Sequence, residues 1–158
     1  MKLPQIIILE LDGWLAKQLR ELAGESRWLV QPTRSVGAAL SLARVRRPAV
    51  LLVQVELGED KPASLQLVAD VHRQAPDVPI VVVSDVKFPD AERAAWTSAL
   101  LDLGARYVLF PPLMKSILED VVSGLMNAAI RTVVGEAPPR EPRKRSDIID
   151  LALGDSEA

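Results

Sequence analysis

Cysteine is absent from the 158-residue chain, and histidine occurs once. The first absence excludes disulfides, thiolate metal sites and cysteine nucleophiles together; the second excludes zinc sites built from several imidazoles. No apolar run approaches the ~18 residues of a bilayer span, so no membrane segment is expected. The apolar stretch Ile6–Leu9 runs straight into Glu10 and Asp12 with no small-residue cleavage site after it. A signal peptide is therefore not expected, and the chain is expected in the cytoplasm. Charge of one sign is also missing from the body. Through Gly135 there are 15 basic and 15 acidic residues, and the net charge of −2 lies wholly in residues 136–158. A neutral body has no field to gather phosphate backbones, which argues against nucleic acid as a partner. Gly13 stands alone after the first apolar run, far short of a phosphate-cradling loop.

What is present is a chain 49% hydrophobic and 25% charged, enough for one globular core and a short appendage. Its apolar residues fall in short runs: Ile6–Leu9, Trp28–Val30, Val50–Val55, Ile80–Val83 and Tyr107–Phe110. Several are rich in Val or Ile, as strands buried on both faces tend to be. Between them the apolar spacing turns helical. Trp14, Leu15, Leu19 and Leu22 form one stripe, and Val36, Ala39, Leu40 and Ala43 a second. Leu65, Val68 and Val71 form a third, and Trp96, Leu100 and Leu103 a fourth. The longest joins Met114, Ile117, Leu118, Val121, Val122, Leu125 and Met126. Strand alternating with helix predicts an α/β fold, a doubly wound five-stranded parallel sheet of flavodoxin-like kind. Function in such sheets sits at the carboxyl ends of the strands. Those ends are predicted at Glu10-Leu11-Asp12, Gln31, Gln54 to Glu56, Ser84-Asp85 and Phe110-Pro111-Pro112.

The pattern stops after residue 135. The proline- and charge-rich segment 136–146 cannot continue a helix and reads as a linker. Segment 147–158 reads as a flexible acidic-aliphatic tail, either plain disorder or, through Ile148, Ile149 and Leu151 on its apolar face, a motif suited to docking in a partner's groove. The basic cluster Arg143-Lys144-Arg145 lies between acids and is read as a solubility or steering element.

Over roughly residues 2–130 the order of segments resembles the receiver domain of bacterial two-component response regulators. Arg47-Pro48-Ala49-Val50-Leu51-Leu52-Val53 resembles that family's lead into its third strand. Pro79-Ile80-Val81-Val82-Val83-Ser84 resembles its fourth strand with the Ser/Thr switch at the end. Gly104-Ala105 before Tyr107-Val108-Leu109, followed by Pro112-Leu113, resembles its approach to the fifth strand and the proline beyond. The resemblance implies an acceptor Asp where Gln54 stands, an acid pair where Glu10 and Leu11 stand, and a Lys at Pro111, ahead of the family proline at Pro112. Only Ser84 keeps the residue type expected of it. A carboxamide cannot form the acyl phosphate that Asp forms. Leu for one acid and an amide for another leave little charge for a hard cation, and losing the Lys removes a stabiliser of transition-state charge.

The sequence is therefore read as a degenerate receiver, a pseudo-receiver that is not an enzyme and needs no cofactor. Its function would be phosphorylation-independent protein–protein interaction in signalling or regulation. The resemblance implies a binding face on the fourth helix, fifth strand and fifth helix, where Trp96, Tyr107 and Met114 are candidate contacts for a protein partner or a second copy of the chain. Glu10, Asp12 and Glu56, with Asp85 nearby, are weak candidates for an ion. His72 reads as a partly exposed polar residue near a helix end rather than a phosphotransfer group. Two alternatives remain. One is a small-ligand or nucleotide site at the strand ends, with Leu11, Trp14 and Phe110 as an apolar lip around Ser84. The other is a response regulator with residual acceptor activity displaced to Asp12 or Glu56.

Overall fold

A computed structural model describes residues 2–57 and 62–134. Strands and helices alternate along the chain: β1 (Gln5–Leu9), α1 (Trp14–Ser26), β2 (Leu29–Thr33), α2 (Val36–Ala43), β3 (Ala49–Val55), α3 (Pro62–Gln74), β4 (Ile80–Ser84), α4 (Asp90–Leu103), β5 (Tyr107–Leu109) and α5 (Lys115–Val134). The strands form one parallel sheet in the order β2-β1-β3-β4-β5. The expected doubly wound α/β architecture is the observed one.

The pleat explains the two-layered core. Ile7 and Leu9 of β1, with Leu51 and Val53 of β3, pack on the face covered by α2, α3 and α4. Ile6 and Ile8, with Val50 and Leu52, pack on the face covered by α1 and α5. Every residue of β1 and β4 is buried, which is why both strands read as unbroken apolar runs. Gln54 shares the parity of Leu52, so the first polar residue of β3 emerges at the sheet's carboxyl edge.

Three expectations change. β2 does not end at Gln31 but continues through Pro32 to Thr33. Pro32 lies opposite Ile8 in an edge strand, where a missing N–H costs no ladder bond on the outer side. Residues after the strand, Arg34 above all, therefore arrive at the same edge as Glu10 and Gln54. The long stripe of α5 buries Leu118, Val122, Leu125, Met126 and Ala129, but Ile117 and Met114, just before the helix, face outward. Third, the apolar run at Tyr107–Phe110 forms a strand only through Leu109. The linker 136–146 and the tail candidates Ile148, Ile149 and Leu151 lie outside the described residues.

Candidate functional site

Strand order reverses direction around β1, whose neighbours are β2 on one side and β3 on the other. A crevice opens beyond the carboxyl ends there, as the geometry of parallel sheets requires. It holds a cavity of about 170 Å³ lined by Glu10, Leu11, Arg34, Gln54, Glu56 and Ser64, among others.

Glu10 follows Ile8 on the α1 side of the sheet and is buried, 5% exposed. Directly above it α1 begins after Gly13, which takes a left-handed conformation (φ 79°) and offers no side chain to cap the helix. The free amides of the first turn must then be met from elsewhere. Trp14 N–H donates to Asp12 Oδ1 at 3.0 Å, Leu15 N–H to Glu10 Oε1 at 2.7 Å and Ala16 N–H to Glu10 Oε2 at 2.9 Å. Both oxygens of Glu10 thus serve the positive end of the helix dipole through charge-assisted bonds. An ion in the crevice would have to share a carboxylate already committed to α1.

Gln54 is half-buried at the end of β3, and its Oε1 accepts the Leu11 N–H at 3.3 Å. The carboxamide ties the central strand to the loop ahead of α1, an uncharged bridge in the middle of the crevice. Ser84 is fully buried, and its hydroxyl is turned onto its own chain: Oγ donates to the Val86 carbonyl at 2.8 Å and accepts the Val86 N–H at 3.0 Å. Pro111 joins Pro112 through a cis peptide bond and presents no amine. Asp12 is exposed and serves Trp14. Glu56 lines the cavity, whereas Asp85 is exposed beyond β4. Among the described residues, no three acids or imidazoles gather in a geometry that holds a metal ion.

The expected apolar lip does not assemble. Trp14 packs with the α1/α5 layer, while Phe110 lies on the opposite layer edge-on to Phe88, with ring centres 6.1 Å apart. Leu11 alone of the three lines the cavity. Arg34 is a crevice residue that sequence reasoning misses: Pro32 reads as a breaker, which ends β2 too early. The signal that could have found it is the tolerance of an edge strand for proline.

The other candidate surface surrounds the free edge of β5. Trp96 is half-buried and tilted against Phe88 at 6.4 Å, packed on its own core. The exposed apolar side chains there are Leu101 of α4, Tyr107 of β5, Met114 just before α5 and Ile117 within it, between 45% and 60% exposed. Leu101 and Ile117 are additions to the sequence-derived set, because both fall within or beside stripes that read as core. His72 lies near the amino-terminal edge of the sheet, its side chain closed over Gly104.

Two surface clusters show shifted titration. Lys115 of α5 bonds Glu21 of α1 at 2.7 Å. That bond and its charge hold the Glu21 carboxyl below its ordinary value and raise the Lys115 ammonium above its own. Glu21's contribution to stability is present above the ordinary carboxyl value and lost as pH falls through the lowered one. Lys115's is present below the ordinary amine value and lost as pH rises through the raised one. Both groups are fully exposed, so salt screens the pair. Asp70 is likewise held low, first by the Gln66 amide and then by Arg73.

No family model matches the chain, and no curated protein matches it. Solved structures do. A CheY-like response regulator receiver domain protein from Methanospirillum hungatei matches with TM-score 0.63 and 15% identity, over 83% of this chain and 99% of that one. The receiver domain of the Francisella response regulator 1452 matches with TM-score 0.60 and 16% identity, over 78% and 97%. A structure described as adenylate cyclase from Rhodopirellula baltica matches with TM-score 0.62 and 12% identity, over 85% and 93%. Identities this low establish a shared architecture: the chain has the receiver fold.

Proposed function

We propose that this chain is a signalling module that keeps the receiver fold without its phosphoryl chemistry and works by binding protein through the surface around β5. One observation carries the reading. Glu10, the single acid left at the family's ion-binding positions, gives both carboxylate oxygens to the N-terminal amides of α1. The other changes agree with it. Gln54 supplies an amide in place of an acceptor carboxylate, Leu11 supplies no ligand, Pro111 supplies no cation, and the Ser84 hydroxyl is held by Val86. Phosphoryl transfer depends on positioned charge, so a crevice with an amide for the acceptor, one acid for the ion and no lysine has little to drive it. Leu101, Tyr107, Met114 and Ile117 supply the apolar anchors that a protein interface needs.

Incubating the full chain with acetyl phosphate and Mg²⁺, then measuring intact mass, is expected to show only unmodified protein. Gln54→Asp is expected to remain below a few per cent labelled, because the acceptor alone restores neither the ion nor the lysine. Stoichiometric phosphorylation of the unaltered chain would overturn the reading. The surface has its own check. Tyr107→Glu and Ile117→Glu change outward-facing side chains and should leave stability within about 0.5 kcal/mol. Both should abolish any self-association or partner binding seen by sedimentation, and intact association in both would move the interface elsewhere.

A further inference from the structure

The acids of the crevice are engaged and its donors are not. Glu10 gives both oxygens to α1, Asp12 Oδ1 accepts the Trp14 amide, and Glu56 has an interaction of its own. Beside them stand three groups that no hydrogen bond or ion pair among the described residues uses. They are the Arg34 guanidinium, Nε2 of Gln54 and the hydroxyl of Ser64, and all three residues line the 170 Å³ cavity. The register brings two of them together. Leu9 pairs with Thr33 of β2 and with Val53 of β3, which sets Arg34 and Gln54 level with Glu10 on the two flanking strands. Donors that converge without an acceptor fit a ligand oxygen, and a planar guanidinium fits the paired oxygens of a carboxylate.

The cavity shares Glu10, Leu11 and Arg34 with a neighbouring concavity of about 460 Å³, which Pro32 also lines. Leu11, 62% exposed, is the most exposed large apolar side chain among the described residues, and Pro32 is exposed as well. An apolar seat next to a few placed donors is the make-up of a small-molecule site. Charge then selects within that class. A dianion such as phosphate meets the combined field of Glu10, Asp12 and Glu56, whereas a single carboxylate is answered by Arg34.

We infer that the crevice binds a small monocarboxylic acid with an apolar body, its carboxylate on Arg34, Gln54 Nε2 and Ser64 and its body on Leu11 and Pro32. The amide at Gln54 then acts as a donor where an acid would repel the ligand. The site is separate from the protein-binding surface around β5 and rests on the proposed function only in taking the crevice as free of ion and phosphoryl group.

The test titrates the full chain with benzoate and with hexanoate at neutral pH and constant ionic strength. NMR follows the Gln54 side-chain amide and the backbone amides of Leu11, Arg34 and Ser64. At least one of the two acids is expected to shift these signals saturably. Benzyl alcohol, which lacks the charge, and inorganic phosphate, which lacks the body, are expected to produce no saturable shift at the same concentrations. Arg34 and Leu11 are exposed, so Arg34→Gln and Leu11→Asp both fold, and each should weaken binding of the acid at least several-fold. Silence with both acids, an equal response to benzyl alcohol or phosphate, or an affinity unchanged in Arg34→Gln would overturn the assignment. None of these results alters the mass measured after acetyl phosphate, so the two readings fail separately.

Discussion

Glu10→Ala is expected to destabilise the chain by about 3 kcal/mol, although the residue sits where a sheet edge meets a solvent-filled crevice. Two amides of α1, on the buried residues Leu15 and Ala16, lose their acceptors at once. Hydrogen bonds to a charged partner are worth roughly 1.5–3 kcal/mol each, and losing an N-cap costs about 0.5–2 kcal/mol. Gly13 has no side chain to take over. Glu10→Gln keeps one acceptor oxygen but turns an NH₂ toward an N–H, so it should lose roughly half as much. Denaturant unfolding at neutral pH measures both, with the slope unchanged if only stability has moved. Hydrogen exchange should accelerate first in the opening turn of α1. The outcome separates two roles for the same carboxylate. An acid held for an ion, beside other acids and without that ion, is repelled by its neighbours, so neutralising it is neutral or stabilising. A loss under about 0.5 kcal/mol would place Glu10 in that second role.

Gly104→Ala is expected to cost as much or more, about 3–4 kcal/mol. Gly104 ends α4 at φ 132°, outside the range of L-residues, and its amide bonds the Leu100 and Leu101 carbonyls. A side chain in such a conformation costs about 1–3 kcal/mol by itself. A Cβ at this position would also lie 2.6 Å from both Cβ and Cγ of His72. Overpacking of that kind adds roughly 1–3 kcal/mol, because backbone on both sides must move. His72→Ala in the same chain removes the Cγ overlap but leaves the Cβ overlap and the strained φ, so it should return less than half of the loss. Full recovery would mean that steric overlap, not backbone conformation, dominates.

The fold was legible because its strands are buried on both faces. Ile6–Leu9 and Ile80–Val83 cannot be mistaken for amphipathic helix, and the stripes between them have helical spacing. Edges were harder to read. Pro32 reads as a terminator but sits harmlessly in an outer strand, which hides Arg34's place at the crevice. Met114 and Ile117 keep the helical period of Leu118, yet both are exposed while Leu118 is buried, because the period sets spacing and not how wide a stripe the core covers. Trp96 shows the converse, a large aromatic whose exposure depends on whether Phe88 lies near enough to cover it. At the crevice, residue types set against the receiver resemblance marked Gln54, where that resemblance implies an acid, and Pro111, where it implies an amine. They did not reveal the service of Glu10 to α1, which comes from strand parity combined with a glycine at the N-cap.

If the crevice at Gln54 neither gathers an ion nor stabilises a phosphoryl group, a phosphoryl mimic has nowhere to seat. Adding beryllofluoride and Mg²⁺ to the full chain tests this most directly, with NMR following the Gln54 side-chain amide and the backbone amides of Leu11, Leu15 and Val86. None of these signals is expected to move beyond what Mg²⁺ and fluoride alone produce. A saturable shift of Gln54 together with Leu15 would contradict the claim, because it would mean that Glu10 leaves α1 to hold an ion beside a bound phosphoryl mimic.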